Sequence, residues 1–229
     1  MAPQNPLDAE LIVSYLTLRK AVGVIGLLMP IIVRAGAYYF EKIPSNTSIS
    51  AYYYTSMRDV FVGSLAAIGV FLFCYRGLDK QDNFLTNVAG ACAVAIGLLP
   101  TALEYHPLIL AKFPQLLTDA CYRNHGPLGL HIYVVAAFFL IISYLTIFRF
   151  TKPSQPITDP ARKRSRNRVY IACGIVMVIC IVLIVVIKLR DFTASIFWPE
   201  SVAIFAFAVA WLTKGHLILK DRDEQNGAK

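Results

Sequence analysis

The sequence predicts an all-α protein, a polytopic transmembrane bundle of six helices with N-in/C-in topology and one transmembrane domain spanning residues 1–229. Three observations predict it. Of the 229 residues, 57% are hydrophobic and 16% charged, with a mean hydropathy of +0.57, whereas a soluble domain carries about 25% charged residues. The apolar residues gather into six runs close to the roughly 20 residues that cross a bilayer core. Lys and Arg are unevenly shared among the segments between those runs.

The first run covers roughly 18–38. The residues before it start polar and acidic, without a basic n-region, so this span is expected to be retained. Pro30 removes a backbone hydrogen bond within it and predicts a kink or an end near the outer leaflet. The second run, 59–75, follows the loop SNTSISAYYYTSMRD, which contains the N-glycosylation sequon at Asn46. The third, 86–104, places Gly90, Ala93 and Gly97 on one small-residue stripe that admits a neighbouring helix closely. Pro100 is expected to kink or end it. The fourth run covers 129–148. The fifth, 169–188, is bulky and β-branched and suits a lipid-facing position. Gly97→Leu is therefore expected to cost more stability than Gly174→Leu. The sixth covers 197–213. No internal repeat is present, and the connections leave no room for a separate soluble domain.

Orientation follows from the basic residues. Fifteen of the 22 Lys and Arg residues fall on one side of the six runs, seven of them between 149 and 168. The termini and the 149–168 loop are therefore placed in the cytoplasm. The net charge of +8 would suggest an acidic partner in a soluble protein. Here the basic stretch DPARKRSRNR reads as a topology anchor on anionic headgroups, at about 1 kcal/mol per basic residue. The expected partners are membrane lipids, with no nucleic acid and with room for homo-oligomers. The five cysteines (74, 92, 121, 173 and 180) have no CxxC or CxxH spacing, so neither a zinc finger nor a thioredoxin-like motif is indicated.

With this topology, ionisable residues collect on the extracytoplasmic side. Arg34 lies near the end of the first span, Arg58 and Asp59 open the second, and Glu104 and His106 close the third. His125 and His131 bracket the start of the fourth, and Asp191 and Glu200 that of the sixth. Charges near a span are costly and usually face inward, paired or around a wet cavity. Arg34 or Arg58 could neutralise Asp59, Glu104 or Glu200. One reading is interhelical ion pairs with an aromatic belt of Tyr52, Tyr53 and Tyr54. The sharper reading is a ligand site formed by Arg58, Asp59, Glu104, His131 and Glu200, with Tyr53 and Tyr54 at its rim. Glu104, His106, His125 and His131 also offer a Zn²⁺ ligand set, although two histidines six apart lack the i, i+4 spacing that puts both on one helix face. GxSxG, Walker, GxGxxG and HExxH signatures are absent.

Three stretches carry a resemblance: SISAYYYTSMRDVFVGSLAAIGVFLFCYRG (48–77), GLLPT (97–101) and FWPESVAIFAFAVAWLTKG (197–215). They resemble a family of uncharacterised bacterial six-helix membrane proteins, itself distantly similar to the Frag/DRAM membrane proteins. The resemblance implies six helices in a bacterial inner (plasma) membrane and lends no activity. The leading expectation is an integral membrane protein that recognises a lipid or small hydrophobic ligand at the outer leaflet. Its rivals are a membrane-embedded metal-dependent hydrolase acting on lipid and a small-molecule transporter. Against the transporter stand the missing inverted repeat and the lack of polar residues deep in a span.

Overall fold

The computed structural model describes residues 6–43, 48–99, 101, 129–153, 159–190 and 194–219, with side chains from Leu16 onward. Among them are six α-helices: α1 (Pro6–Glu41), α2 (Arg58–Cys74), α3 (Lys80–Leu98), α4 (Gly129–Tyr144), α5 (Pro160–Arg190) and α6 (Phe197–Lys214). A 3-10 turn, Ser50–Tyr54, leads into α2, and a π-helical turn, Leu145–Arg149, extends α4.

Local chemistry explains where these helices begin and end. Pro30 neither interrupts nor ends α1, which continues to Glu41; packing against neighbours supports a helix across a proline in this class of bundle. Lys42 then takes the left-handed conformation, φ 59°, as its N–H donates to the Tyr38 carbonyl, a helix-ending arrangement. The start of α3 is capped by Asp79, whose carboxylate accepts from the Asp82 N–H at 3.0 Å. Its end comes at Leu98, with Leu99 extended at φ −98° and ψ 99°, as the residue before a proline prefers.

The largest departure from the expected boundaries is in α5. Residues 160–168, expected as cytoplasmic loop, form its first turns. Asp159 accepts from the Arg162 N–H at 3.0 Å and Pro160 takes the first helical position, a favourable start that the following Ala, Arg and Lys residues propagate.

Each helix packs on its neighbours in sequence, and α6 closes the ring against α1. The closest approach is between α2 and α3. A Cβ at Gly69 or at Gly90 would stand 2.9 Å from the carbonyl oxygen of the other, so the two backbones touch there. The expectation about Gly97 and Gly174 is reversed. A Cβ at Gly97 would meet Leu65 at an ordinary 3.5 Å, whereas one at Gly174 would overlap Ile147 at 2.3 Å. The π turn after α4 pushes Ile147 against α5, a contact invisible in the bulky pattern of that run.

Large side chains on the outer faces are apolar. Leu28 and Ile31 on α1, Val70 on α2, Leu140 on α4, and Ile179 and Val182 on α5 are all exposed. An extensive apolar exterior on a helical bundle marks a lipid-facing surface. Three segments, Leu16–Glu41, Gly129–Arg149 and Pro160–Arg190, are long and apolar enough to cross a membrane.

Candidate functional site

The helix ends gather polar side chains at two places, one around the 3-10 turn (the tyrosine end) and one around Arg149 (the basic end).

At the tyrosine end, Ser48, Ser50, His131 and Glu200 are all buried. The Ser48 hydroxyl donates to the Glu200 carboxylate at 2.8 Å, and the Ile49 N–H donates to the same oxygen at 2.5 Å. Ser48 Oγ also accepts from the Ser50 N–H at 3.1 Å. His131 is held from both sides, with Nδ1 2.7 Å from the Leu99 carbonyl and Nε2 2.8 Å from Ser50 Oγ. A carbonyl can only accept, so Nδ1 carries the proton and Nε2 accepts from the Ser50 hydroxyl. The segment 48–50 is thus pinned to α6 through Glu200 and to α3 and α4 through His131. Below it lies an apolar cavity of about 50 Å³ walled by Met29, Leu65, Phe138 and Phe207, with Ser50 and Glu200 at one end.

The expected site residues therefore divide. His131 and Glu200 come together, linked by Ser48 and Ser50. Arg58 is exposed; it donates to the Tyr53 hydroxyl at 2.9 Å and covers that ring at 4.5 Å. Asp59 is exposed and makes no hydrogen bond or ion pair among the described residues. Tyr54 is buried and donates to the Thr101 carbonyl at 2.6 Å. Neither Arg34 nor Arg58 pairs with Asp59 or Glu200 among the described residues. The expected belt is also corrected: Tyr52 and Tyr54 are buried, and the exposed aromatics at this end include Tyr38, Tyr39, Phe40, Tyr133 and Trp198. The helical turn of residues 50–54 rolls alternate tyrosines inward.

Glu104, His106, His125 and Asp191 lie outside the described residues, and with them three of the four expected Zn²⁺ ligands. The fourth, His131, has both ring nitrogens engaged. No group of three or more His, Cys, Asp or Glu side chains suited to a metal occurs among the described residues.

Beside this network, a groove of about 500 Å³ opens between α1 and α6, lined by Pro30, Arg34, Tyr38, Phe197, Trp198 and Ser201. The Arg34 guanidinium lies 4.9 Å from the Phe197 ring centre and 5.7 Å from that of Trp198. Stacking on ring faces leaves its fork of N–H donors available to an incoming carboxylate or phosphate.

The basic end is built around Arg149, buried at the end of the π turn. Its Nε donates to Asp82 and its terminal nitrogen to Asp79, tying α4 to the start of α3. The other Asp82 oxygen accepts from the Leu78 N–H at 2.8 Å. The Asp82 N–H, and next the Arg149 guanidinium, hold the Asp79 carboxyl below the usual carboxylate range. From the sequence alone, Arg149 counts only toward topology. The available signal was charge abutting an apolar run: Asp79 and Asp82 before the third, Arg149 after the fourth.

No family model, curated protein or solved structure matches this chain. The Frag/DRAM resemblance gains no support from these comparisons, and any functional reading stands on geometry.

Proposed function

We propose that the chain is a six-span integral membrane protein, N-in and C-in, that binds a lipid bearing an anionic headgroup in the groove between α1 and α6, at the outer leaflet. At 1.5 Å per residue α2, α3 and α6 measure about 26–28 Å, close to a bilayer core, and they complete the same ring as the three longer helices. Basic residues 162–168 at the start of α5 anchor the cytoplasmic face.

The observation that carries the reading is Arg34. It is a cation at the edge of a membrane span, with no carboxylate partner among the described residues, beside an apolar groove of acyl-chain character. An arginine so placed is costly unless something negative meets it. Exposed Tyr38 and Trp198 at the same level suit the headgroup interface. Both ring nitrogens of His131 are committed to structure, which favours recognition over hydrolysis.

Arg34→Gln is expected to weaken binding of phosphatidylglycerol in lipid nanodiscs by about fivefold, the equivalent of about 1 kcal/mol for one interfacial charge. Its melting temperature in detergent should stay close to the parent's, because Arg34 makes no ion pair among the described residues. Lipid-binding titration read by native mass spectrometry checks this. Equal retention of phosphatidylglycerol by parent and variant, or a parent preference for phosphatidylcholine, would overturn it.

A further inference from the structure

The polar groups of the Arg34 groove follow an order of depth. Tyr38 and Trp198 stand at its rim, both exposed. The Arg34 guanidinium lies against the rings of Phe197 and Trp198, in the first turn of α6. Ser201 lines the groove one turn further along α6, about 5–6 Å deeper at 1.5 Å per residue. Pro30 on α1 and Phe205 on α6 line its apolar lower part. Ser201 is 2% exposed, and its hydroxyl donates to the Phe197 carbonyl at 2.7 Å. Its one proton is therefore spent, and the oxygen serves a ligand only as an acceptor. Pro30 has no N–H to offer. Below the guanidinium, the lining side chains present an acceptor and no donor.

Such a wall discriminates among anionic lipids. A diacyl glycerophospholipid carries only ester oxygens just beneath its phosphate, all of them acceptors, and these find no partner on Ser201. An acceptor buried against another acceptor forfeits the hydrogen bonds that water would give both. A lysophospholipid keeps the phosphate but has a free glycerol hydroxyl in place of one ester, which puts a donor at the depth of Ser201. On the reading of this groove as a lipid site, we propose that it takes a lysophospholipid, with the phosphate on the Arg34 fork and the free glycerol hydroxyl donating to Ser201. The planar guanidinium suits two phosphate oxygens at once. The single acyl chain leaves over Pro30 and Phe205, along the apolar seam between α1 and α6. The groove's volume of about 500 Å³ is that of a pocket for one small ligand.

The test titrates the full chain in nanodiscs with three lipids of one headgroup, read by native mass spectrometry. They are lysophosphatidylglycerol, its deoxy analogue with the same single chain but no free hydroxyl at that carbon, and diacyl phosphatidylglycerol. The parent is expected to hold lysophosphatidylglycerol about fivefold more tightly than the deoxy analogue, the effect of one neutral hydrogen bond. That comparison needs no variant. Ser201→Ala should bring the ratio to about one, and Ser201→Thr, which keeps the hydroxyl, should restore it, each variant being checked for an unchanged melting temperature. Arg34→Gln should weaken all three lipids and leave the ratio as it is. If Arg34→Gln weakens all three while the parent holds lysophosphatidylglycerol and its deoxy analogue equally, the lipid site stands and the hydroxyl contact is overturned. If Arg34→Gln weakens none, both fall. A ratio unchanged in Ser201→Ala, or a preference for a ceramide phosphate, whose amide N–H offers a different donor, would also overturn the lysophospholipid assignment.

Discussion

Arg149→Leu is expected to destabilise the protein by about 3–5 kcal/mol, the usual cost of removing one partner from a buried ion pair. The substitution leaves the Asp82 carboxylate, only 4% exposed, with the Leu78 N–H as its remaining donor among the described residues. It also releases Asp79, which caps α3. Arg149→Lys should recover only part of the loss, because one ammonium cannot repeat the two-pronged contact to both carboxylates. Adding Asp82→Leu to Arg149→Leu should regain most of it, since an apolar pair of similar volume can replace a buried ion pair at little cost. Thermal unfolding in detergent measures all three. An Arg149→Leu variant that melts with the parent would mean that α3 and α4 are not locked here.

Glu200→Ala should be the next most damaging change, at about 3 kcal/mol. It removes the acceptor for the Ser48 hydroxyl and the Ile49 N–H, two hydrogen bonds to a charged group in a buried position. Among the described residues, the 48–50 segment then loses its hydrogen bonds to α6 and keeps the one through Ser50 and His131. Glu200→Gln retains an amide oxygen and should cost about half as much. Melting curves, with limited proteolysis between 48 and 57, check the pair. Unchanged stability and protection in Glu200→Ala would show that this carboxylate is held for a ligand and not for the fold.

The fold class was legible because helix periodicity and apolar run length report directly on the burial of backbone hydrogen bonds. The ends of α2 and α6 fell within a residue of expectation, since charge or glycine marks them. Pro30 does not end α1, because a proline's cost depends on the helices around it, which a single run does not reveal. Residues 160–168 misled because a basic stretch that anchors topology can also be a well-capped helix.

The candidate site was only half legible. Charge in an apolar context located Glu200 and His131, but their partners Ser48 and Ser50 are ordinary loop residues in sequence, and nothing local shows that they reach α4 and α6. Arg58 and Asp59 were indistinguishable by pattern from an inward pair, yet both face out. Lys214 was counted as one basic residue among many; only the packing of α6 against α1 sets it beside Arg19 at the basic end.

The central claim is that this ring spans a membrane with the Arg34 groove at the outer leaflet and the Arg149 end in the cytoplasm. Single cysteines at two exposed positions, Ser56→Cys at the tyrosine end and Lys152→Cys at the basic end, test it most directly once the five native cysteines are replaced. With a membrane-impermeant maleimide, Ser56→Cys is expected to label in intact cells and Lys152→Cys only after permeabilisation. Labelling of Lys152→Cys in intact cells with Ser56→Cys protected would contradict the account, because it would turn the groove toward the cytoplasmic leaflet.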